Sequence, residues 1–371
     1  MKAKTLDPTA VVLDDDGDLT LVVGADEMKF VVCSRTVSRA SPVFRQMLNG
    51  PFIEARPPAD SDDPWIVTLP EDRSETMTVI LCIMHGQFAK VPRTLDGYKL
   101  YRTLVLTEKY DMTEIIAPWV KGWMGSHNAL VNEWGFVSAV GVAWEVGATA
   151  TLEALANKLI MTSGITRNGV LLIGNTLIDP KNHSLPLVPP GFFESVATAR
   201  SMILEGLFRQ LGQVVVNLEI LVTDRHTGTS RRPEAYCKRA VGTWDTDTRK
   251  VCHAATLGVL HAWLGQLLQY APRPAQYMVH AWVPKSSYPD SVNKAIETIK
   301  TFKFDLYEKG IHSSGYSQKQ PYGCSPIAAI LEDIDKLVTE HRVTISKENI
   351  ARMKKQQQKL GVDWGFLSKS N

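Results

Sequence analysis

Two β-rich runs open the regular pattern of this chain. Asp18-Leu19-Thr20-Leu21-Val22-Val23 and the stretch from Met28 to Cys33 flank the short polar turn Gly24-Ala25-Asp26, which predicts a hairpin. Arg35 to Leu48 is helix-permissive. Pro42 after Ser41 lets a second helix begin there, because the first helical turn does not use the N–H that proline lacks. Phe44, Met47 and Leu48 then share one face. After a Pro- and Asp-rich stretch from Arg56 to Pro64, Trp65 to Leu69 reads as a third strand closed by Pro70. Asp72 and Glu75 have capping-box spacing, and Met77, Leu81, Met84 and Phe88 follow at helical intervals. Further helices are expected around Leu95 to Lys109 and from Thr113, where Ile116, Trp119, Val120 and Trp123 form one face.

Beyond Gly125 the pattern becomes helical. Leu130, Trp134, Val137, Gly141 and Trp144 form one stripe and Leu152, Leu155, Ala156 and Leu159 another, separated by Gly147, as in a helical hairpin. Residues 169–191 are turn-rich, and Val170-Leu171-Leu172-Ile173 fits either a short strand or a frayed helix end. Phe192 to Val222 carries the longest seam: Leu204, Leu207, Phe208, Leu211, Val215, Leu218 and Val222. Amphipathic helices are expected at Thr256 to Gln269, Ser291 to Lys300 and Pro326 to Glu340. The linear division is a mixed strand-and-helix domain at 14–125, a helical hairpin at 126–170 and a mostly all-α domain at 190–362. A fragment ending near Gly125 is expected to fold by itself.

Composition narrows the class. The 371 residues suit two domains, and 44% hydrophobic with 22% charged residues is ordinary globular usage. Forty-one basic and 39 acidic side chains leave +2, too little for a global field that would draw the chain onto phosphates or anionic lipid, so nucleic acid and membrane are not expected partners. No run approaches the ~18 apolar residues of a membrane span, and the start MKAKTLDPTAVVLDDDGD has no apolar core behind its lysines. Five cysteines, an odd number spread along the chain, fit a reducing compartment. The expectation is an intracellular protein of the cytoplasm or nucleus.

The N-terminal part resembles the BTB/POZ family in its divergent fungal form. The likeness is carried by Gly17-Asp18-Leu19-Thr20-Leu21-Val22-Val23-Gly24, Phe30-Val31-Val32-Cys33-Ser34 and Ser38-Arg39-Ala40-Ser41-Pro42-Val43-Phe44-Arg45-Gln46-Met47-Leu48. It continues through Val67-Thr68-Leu69-Pro70-Glu71-Asp72 and Leu106-Thr107-Glu108-Lys109-Tyr110-Asp111-Met112, in the family's order. Where animal members commonly carry a histidine after the second strand, this chain has Cys33-Ser34. The resemblance implies an α+β domain of short strands with a helical cluster, which associates with itself or docks cullin-type ubiquitin ligase scaffolds. Cullin-docking members carry an apolar-x-Glu element after the second central helix, and Phe52-Ile53-Glu54 stands at that place. The plainer reading of those residues is a hydrophobic loop anchor beside a solvated glutamate.

Catalytic signatures are missing from the sequence: it has no GxSxG, no GxxxxGK[ST], no HExxH and no EF-hand loop, and Gly17 and Gly24 flank a strand instead of opening a helix. An enzyme is not expected. Cys237, Cys252, His312 and Cys324, with His253 as an alternative nitrogen ligand, have the residue types of a closed structural zinc site. The nearest cysteine pair, Cys237 and Cys252, is separated by fourteen residues, with no close knuckle, so ordinary cysteines and a surface histidine are the plainer explanation. Arg352 to Lys359 is a short basic run that would suit a nuclear signal or DNA contact, or simply a solvated helix face. Trp119, Trp123, Trp134 and Trp144 sit on helical stripes and are expected to pack. The leading expectation is a scaffold or adaptor for protein partners; the narrower ones are a cullin-ligase substrate adaptor and a chromatin-associated regulator.

Overall fold

Alternation along the first apolar run sets the sheet. The computed structural model describes residues 9–58, 63–125, 135–166, 170–174, 176–178, 187–223, 236, 246–268, 290–302 and 326–364. Strands β1 (Val11–Val12), β2 (Leu19–Val23), β3 (Met28–Val32) and β4 (Ile66–Leu69) form one sheet of order β1-β3-β2-β4. β2 and β3 are the expected antiparallel hairpin, in register from Leu19↔Val32 to Val23↔Met28, and β4 runs parallel to β2. Leu19, Leu21 and Val23 point into the core, while Thr20 and Val22 are half-buried, as a period of two requires. Gly24 turns the hairpin at φ +78°, and a Cβ there would collide with an Asp26 carboxylate oxygen, so glycine is the residue that fits.

Helices α1 (Ser34–Ala40) and α2 (Pro42–Asn49) part at Ser41. Its hydroxyl accepts the Phe44 N–H at 3.0 Å, capping α2, and donates to the Tyr110 carbonyl at 2.6 Å. Phe44 and Leu48 are fully buried, and the Phe44 ring stacks on Tyr110 at 4.3 Å. Helices α3 (Ser74–Met84), α4 (Gly97–Lys109) and α5 (Ala117–Met124) follow, the last entered through a 3-10 turn, Thr113–Ile116. They bury Met77, Ile80 and Leu81, Leu100 and Leu104, and Ile116, Val120 and Trp123.

Asp72 does not cap α3. The N-cap position is Arg73 without a side-chain cap, and the buried Asp72 carboxylate instead accepts from Tyr110 Oη at 2.5 Å and Lys109 Nζ at 2.7 Å. Two bonds, one from a cation, outweigh a single capped N–H. Glu75 pairs with Lys99 at 2.8 Å. Phe88 leaves the α3 stripe because the helix stops at Met84 and Gly86 takes φ +70°, putting Phe88 in an exposed 3-10 turn.

Helices α6 (Gly135–Glu145) and α7 (Thr149–Thr162) turn at Gly147, φ +77°. Leu130 and Trp134 of the expected stripe lie outside the described residues. α6 packs on α4, and the last helix, α12 (Lys347–Leu360), packs on α5, α6 and the Thr113–Ile116 turn. Packing therefore gathers Met1–Leu155, Asn182–Phe192 and Ile345–Asn371 into one unit, and Ala156–Lys181 with Phe193–Thr344 into a second. This grouping is discontinuous, unlike the linear division at residues 125, 170 and 190, because a helical stripe states which face is buried and not which segment covers it.

The second unit is helical with a small sheet. β5 (Gly164–Ile165), β6 (Leu171–Ile173) and β7 (Thr176–Ile178) pair antiparallel in that order, which settles the open reading at 170–173 as a strand. α8 (Phe192–Thr223) buries Leu204, Leu207, Phe208, Leu211, Val215 and Leu218 as its spacing predicts. α9 (Thr246–Leu268) starts at Thr246 instead of Thr256, its first residues being too polar to show a stripe. α10 (Val292–Lys300) and α11 (Ala328–Glu340) match their expected positions. Among the described residues no helix is long and apolar enough to cross a membrane.

Candidate functional site

The turn after α2 presents two neighbouring apolar side chains on hydrogen-bonded backbone. Gly50 N–H bonds the Gln46 carbonyl at 2.8 Å, closing α2. Arg56 N–H then returns to the Leu48 carbonyl at 3.1 Å, and Ala55 N–H bonds the Phe52 carbonyl at 3.1 Å. The indole N–H of Trp65, just ahead of β4, donates to the Glu54 carbonyl at 2.9 Å, so the turn is anchored at its base. Phe52 and Ile53 project from it, 48% and 97% exposed, with Glu54 half-buried beside them. About half of the Phe52 side chain is covered, its ring lying beside Gly50, and the Trp65 indole supplies a further tie to the turn.

Charge fixes the other side of the turn. Arg56 lies over the Trp65 ring, 5.6 Å from its centroid, and its guanidinium stands 3.5 Å from the Asp18 carboxylate. Asp18 also accepts the Ser34 N–H and hydroxyl, both at 2.7 Å. Partial burial pushes the Asp18 carboxyl up, but the Ser34 hydrogen bonds and the Arg56 charge more than offset it and hold the group below the usual carboxylate value. At the Cys33-Ser34 position Ser34 thus ties α1 to Asp18, while the Cys33 N–H bonds His85 Nε2 at 3.1 Å. The sequence places Phe52 and Glu54 on this turn, but the Asp18–Ser34–Arg56–Trp65 support joins residues too far apart in the chain to be read from spacing.

A second polar cluster holds α12. Glu145, fully buried at the end of α6, accepts from Arg352 at 3.0 Å, from the Gln356 amide and from the Thr113 hydroxyl at 3.4 Å. Burial pushes its carboxyl up and the Arg352 charge opposes that, with a net upward result. A lone Glu in the apolar run Gly135-Phe136-Val137-Ser138-Ala139-Val140-Gly141-Val142-Ala143-Trp144-Glu145 was the available signal for such a partner. The basic run Arg352 to Lys359 is partly consumed here: Arg352 pairs with Glu145 and covers Trp144 at 4.3 Å, and Lys359 stands 3.6 Å from Asp111. Met353 and Gln356 on the same helix are buried.

Of the zinc candidates, Cys252 and His253 are adjacent buried residues on α9, while Cys237, His312 and Cys324 lie outside the described residues. Among the described residues no group of three or more metal-ligating side chains is gathered. A cleft of about 580 Å³ in the first unit is walled by Asp26, Met28, Glu75, Lys90, Asp96 and Lys99, with Glu75 and Lys99 already paired to each other. Comparison of the chain with protein-family models, with curated proteins and with solved structures finds no match.

Proposed function

We propose that this chain is a non-catalytic protein-interaction module, an adaptor or scaffold whose N-terminal part is a BTB/POZ-like domain. That domain binds a second copy or another protein, and the helical part offers the client surface. The observation that carries the reading is the 50–56 turn: two large apolar side chains held out to solvent on a backbone tied at both ends. Ordering an apolar pair in water has no benefit to the isolated fold, whereas a pre-ordered anchor lowers the entropic cost of docking a partner. The blocks that carry the family resemblance support it too, since β2, β3, α1–α2, β4 and α4 all lie within one compact unit.

A narrower reading follows from Phe52-Ile53-Glu54 itself. The apolar-x-Glu element stands on an ordered turn directly after α2, so the partner proposed is a cullin-type scaffold and the chain its substrate adaptor. Co-purification of the full chain with cullins, alongside exchange of differently tagged copies of the chain, tests both readings. Retention of a cullin supports the adaptor, and self-association without a cullin leaves the broader module; absence of both refutes the cullin adaptor and self-association, and the broader module then stands only if another protein co-purifies.

A further inference from the structure

Tyr98 stands in the first turn of α4 and is 45% exposed. Two guanidiniums lie over its ring: that of Arg73, the residue that begins α3, is 5.8 Å from the centroid, and that of Arg102, one turn along α4, is 5.0 Å away. Among the described residues no carboxylate pairs with either arginine. The neighbouring acids are engaged elsewhere, Glu75 on Lys99 Nζ at 2.8 Å and Asp96 on the Lys99 N–H at 2.8 Å. Arg102 Nε is enclosed without an acceptor, which leaves the outer N–H groups of this guanidinium facing solvent.

A single arginine suffices for a cation–π stack, whereas two on one phenol make a cation pair that lacks a counter-charge. An anion at the ring edge would supply it, bonded by guanidinium N–H groups, and the first turn of a helix is where added negative charge is favourable. We propose that Tyr98 is a phosphorylation site whose phosphate is received by Arg73 and Arg102. A tyrosine kinase would transfer the group from a Mg²⁺-bound nucleoside triphosphate. The phenol oxygen attacks the γ-phosphorus, the bond to the bridging oxygen breaks with its electron pair leaving on the nucleoside diphosphate, and the phenol proton passes to the kinase's base. Fraying of the first turn of α4, which follows the irregular stretch 91–96, presents Tyr98 to that enzyme. The added phosphate then joins the start of α3 to the start of α4, both of which wall the cleft lined by Glu75 and Asp96. None of this uses the 50–56 turn, so the inference stands apart from the proposed partner docking.

The test is incubation of the full chain with a broad-specificity tyrosine kinase and Mg²⁺–ATP, followed by phosphopeptide mapping and hydrogen exchange. Tyr98 should be modified, and exchange at the Lys99 and Leu100 amides, whose bonds to Asp96 close the first turn of α4, should slow by about tenfold. In the Arg73→Ala/Arg102→Ala chain Tyr98 should still take the label while the slowing disappears, and Tyr98→Phe should abolish the label at this position. Phenyl phosphate added to the unmodified wild type offers the same group from outside; equal slowing by it, with Tyr98 left unmodified by the kinase, overturns the covalent assignment. A Tyr98 that stays unmodified overturns the proposal, as does exchange that is unchanged or faster once Tyr98 carries phosphate. Chain isolated from its own cells with phosphatases inhibited should carry the modification, and its absence there overturns the proposal as well.

Discussion

Replacing Arg352 by alanine should destabilise the first unit more than neutralising its partner does. Glu145 is fully buried, so removing Arg352 leaves a carboxylate with only Gln356 and Thr113 as donors. Breaking a buried pair from one side costs ~3–5 kcal/mol, and because the Arg352 side chain is 38% exposed the low end, about 3 kcal/mol, applies. Glu145→Gln removes the desolvated charge together with the pair and should lie within ~1 kcal/mol of the wild type. The pH dependence has a definite sign. Glu145 has a native value raised above its ordinary 4.5, so its protonated form is favoured by the fold; stability from this group is fully present below 4.5 and falls as pH rises through the native value. In Arg352→Ala the carboxylate is stranded, so the deficit should shrink on acidification, as protonation of Glu145 removes the uncompensated charge. Urea unfolding followed by tryptophan fluorescence measures the loss, and hydrogen exchange at the α12 amides locates it. A loss under ~1 kcal/mol, or one that grows on acidification, would refute the role assigned to this pair.

Other outcomes follow from the same packing. Phe44→Ala should cost ~3–5 kcal/mol in denaturant unfolding, since the ring is fully buried and stacked on Tyr110; a loss under ~1 kcal/mol would contradict its place in the core. Tyr110→Phe removes the 2.5 Å hydrogen bond to Asp72 and should cost ~1.5–3 kcal/mol near neutrality. Burial, and then the Asp72 bond, raise the Tyr110 phenol above its ordinary 10.0, so its contribution is complete below that value and fades only in stronger alkali, where variant and wild type should converge. Metal analysis of chain purified without chelator checks the zinc set of Cys237, Cys252, Cys324 and His312 or His253: about one Zn²⁺ per chain and a lower melting point after chelation are expected if the site exists, and no bound metal removes it.

Local pattern was the legible part. The β2–β3 hairpin, the break at Ser41-Pro42 and the α8 seam all come from periods of two or 3.6 and from proline chemistry acting within a few residues. Asp72 shows where such reading stops, since its capping spacing is genuine but Lys109 and Tyr110, far along the chain, bind it more strongly. The basic run on α12 likewise gave no hint that Arg352 is matched to Glu145. At the candidate site, Phe52 and Glu54 were readable as a motif, whereas the turn's exposure depends on the Trp65 and Arg56 contacts that only the fold supplies.

Affinity purification of the full chain with quantitative mass spectrometry, run beside the Phe52→Ala/Glu54→Lys variant, tests the interaction reading most directly. The wild type should retain a protein partner in stoichiometric amount, a cullin if the narrower reading holds, and the variant should lose it with an unchanged melting temperature, because its changes lie on a surface turn. Equal recovery of every partner by both proteins would contradict the account.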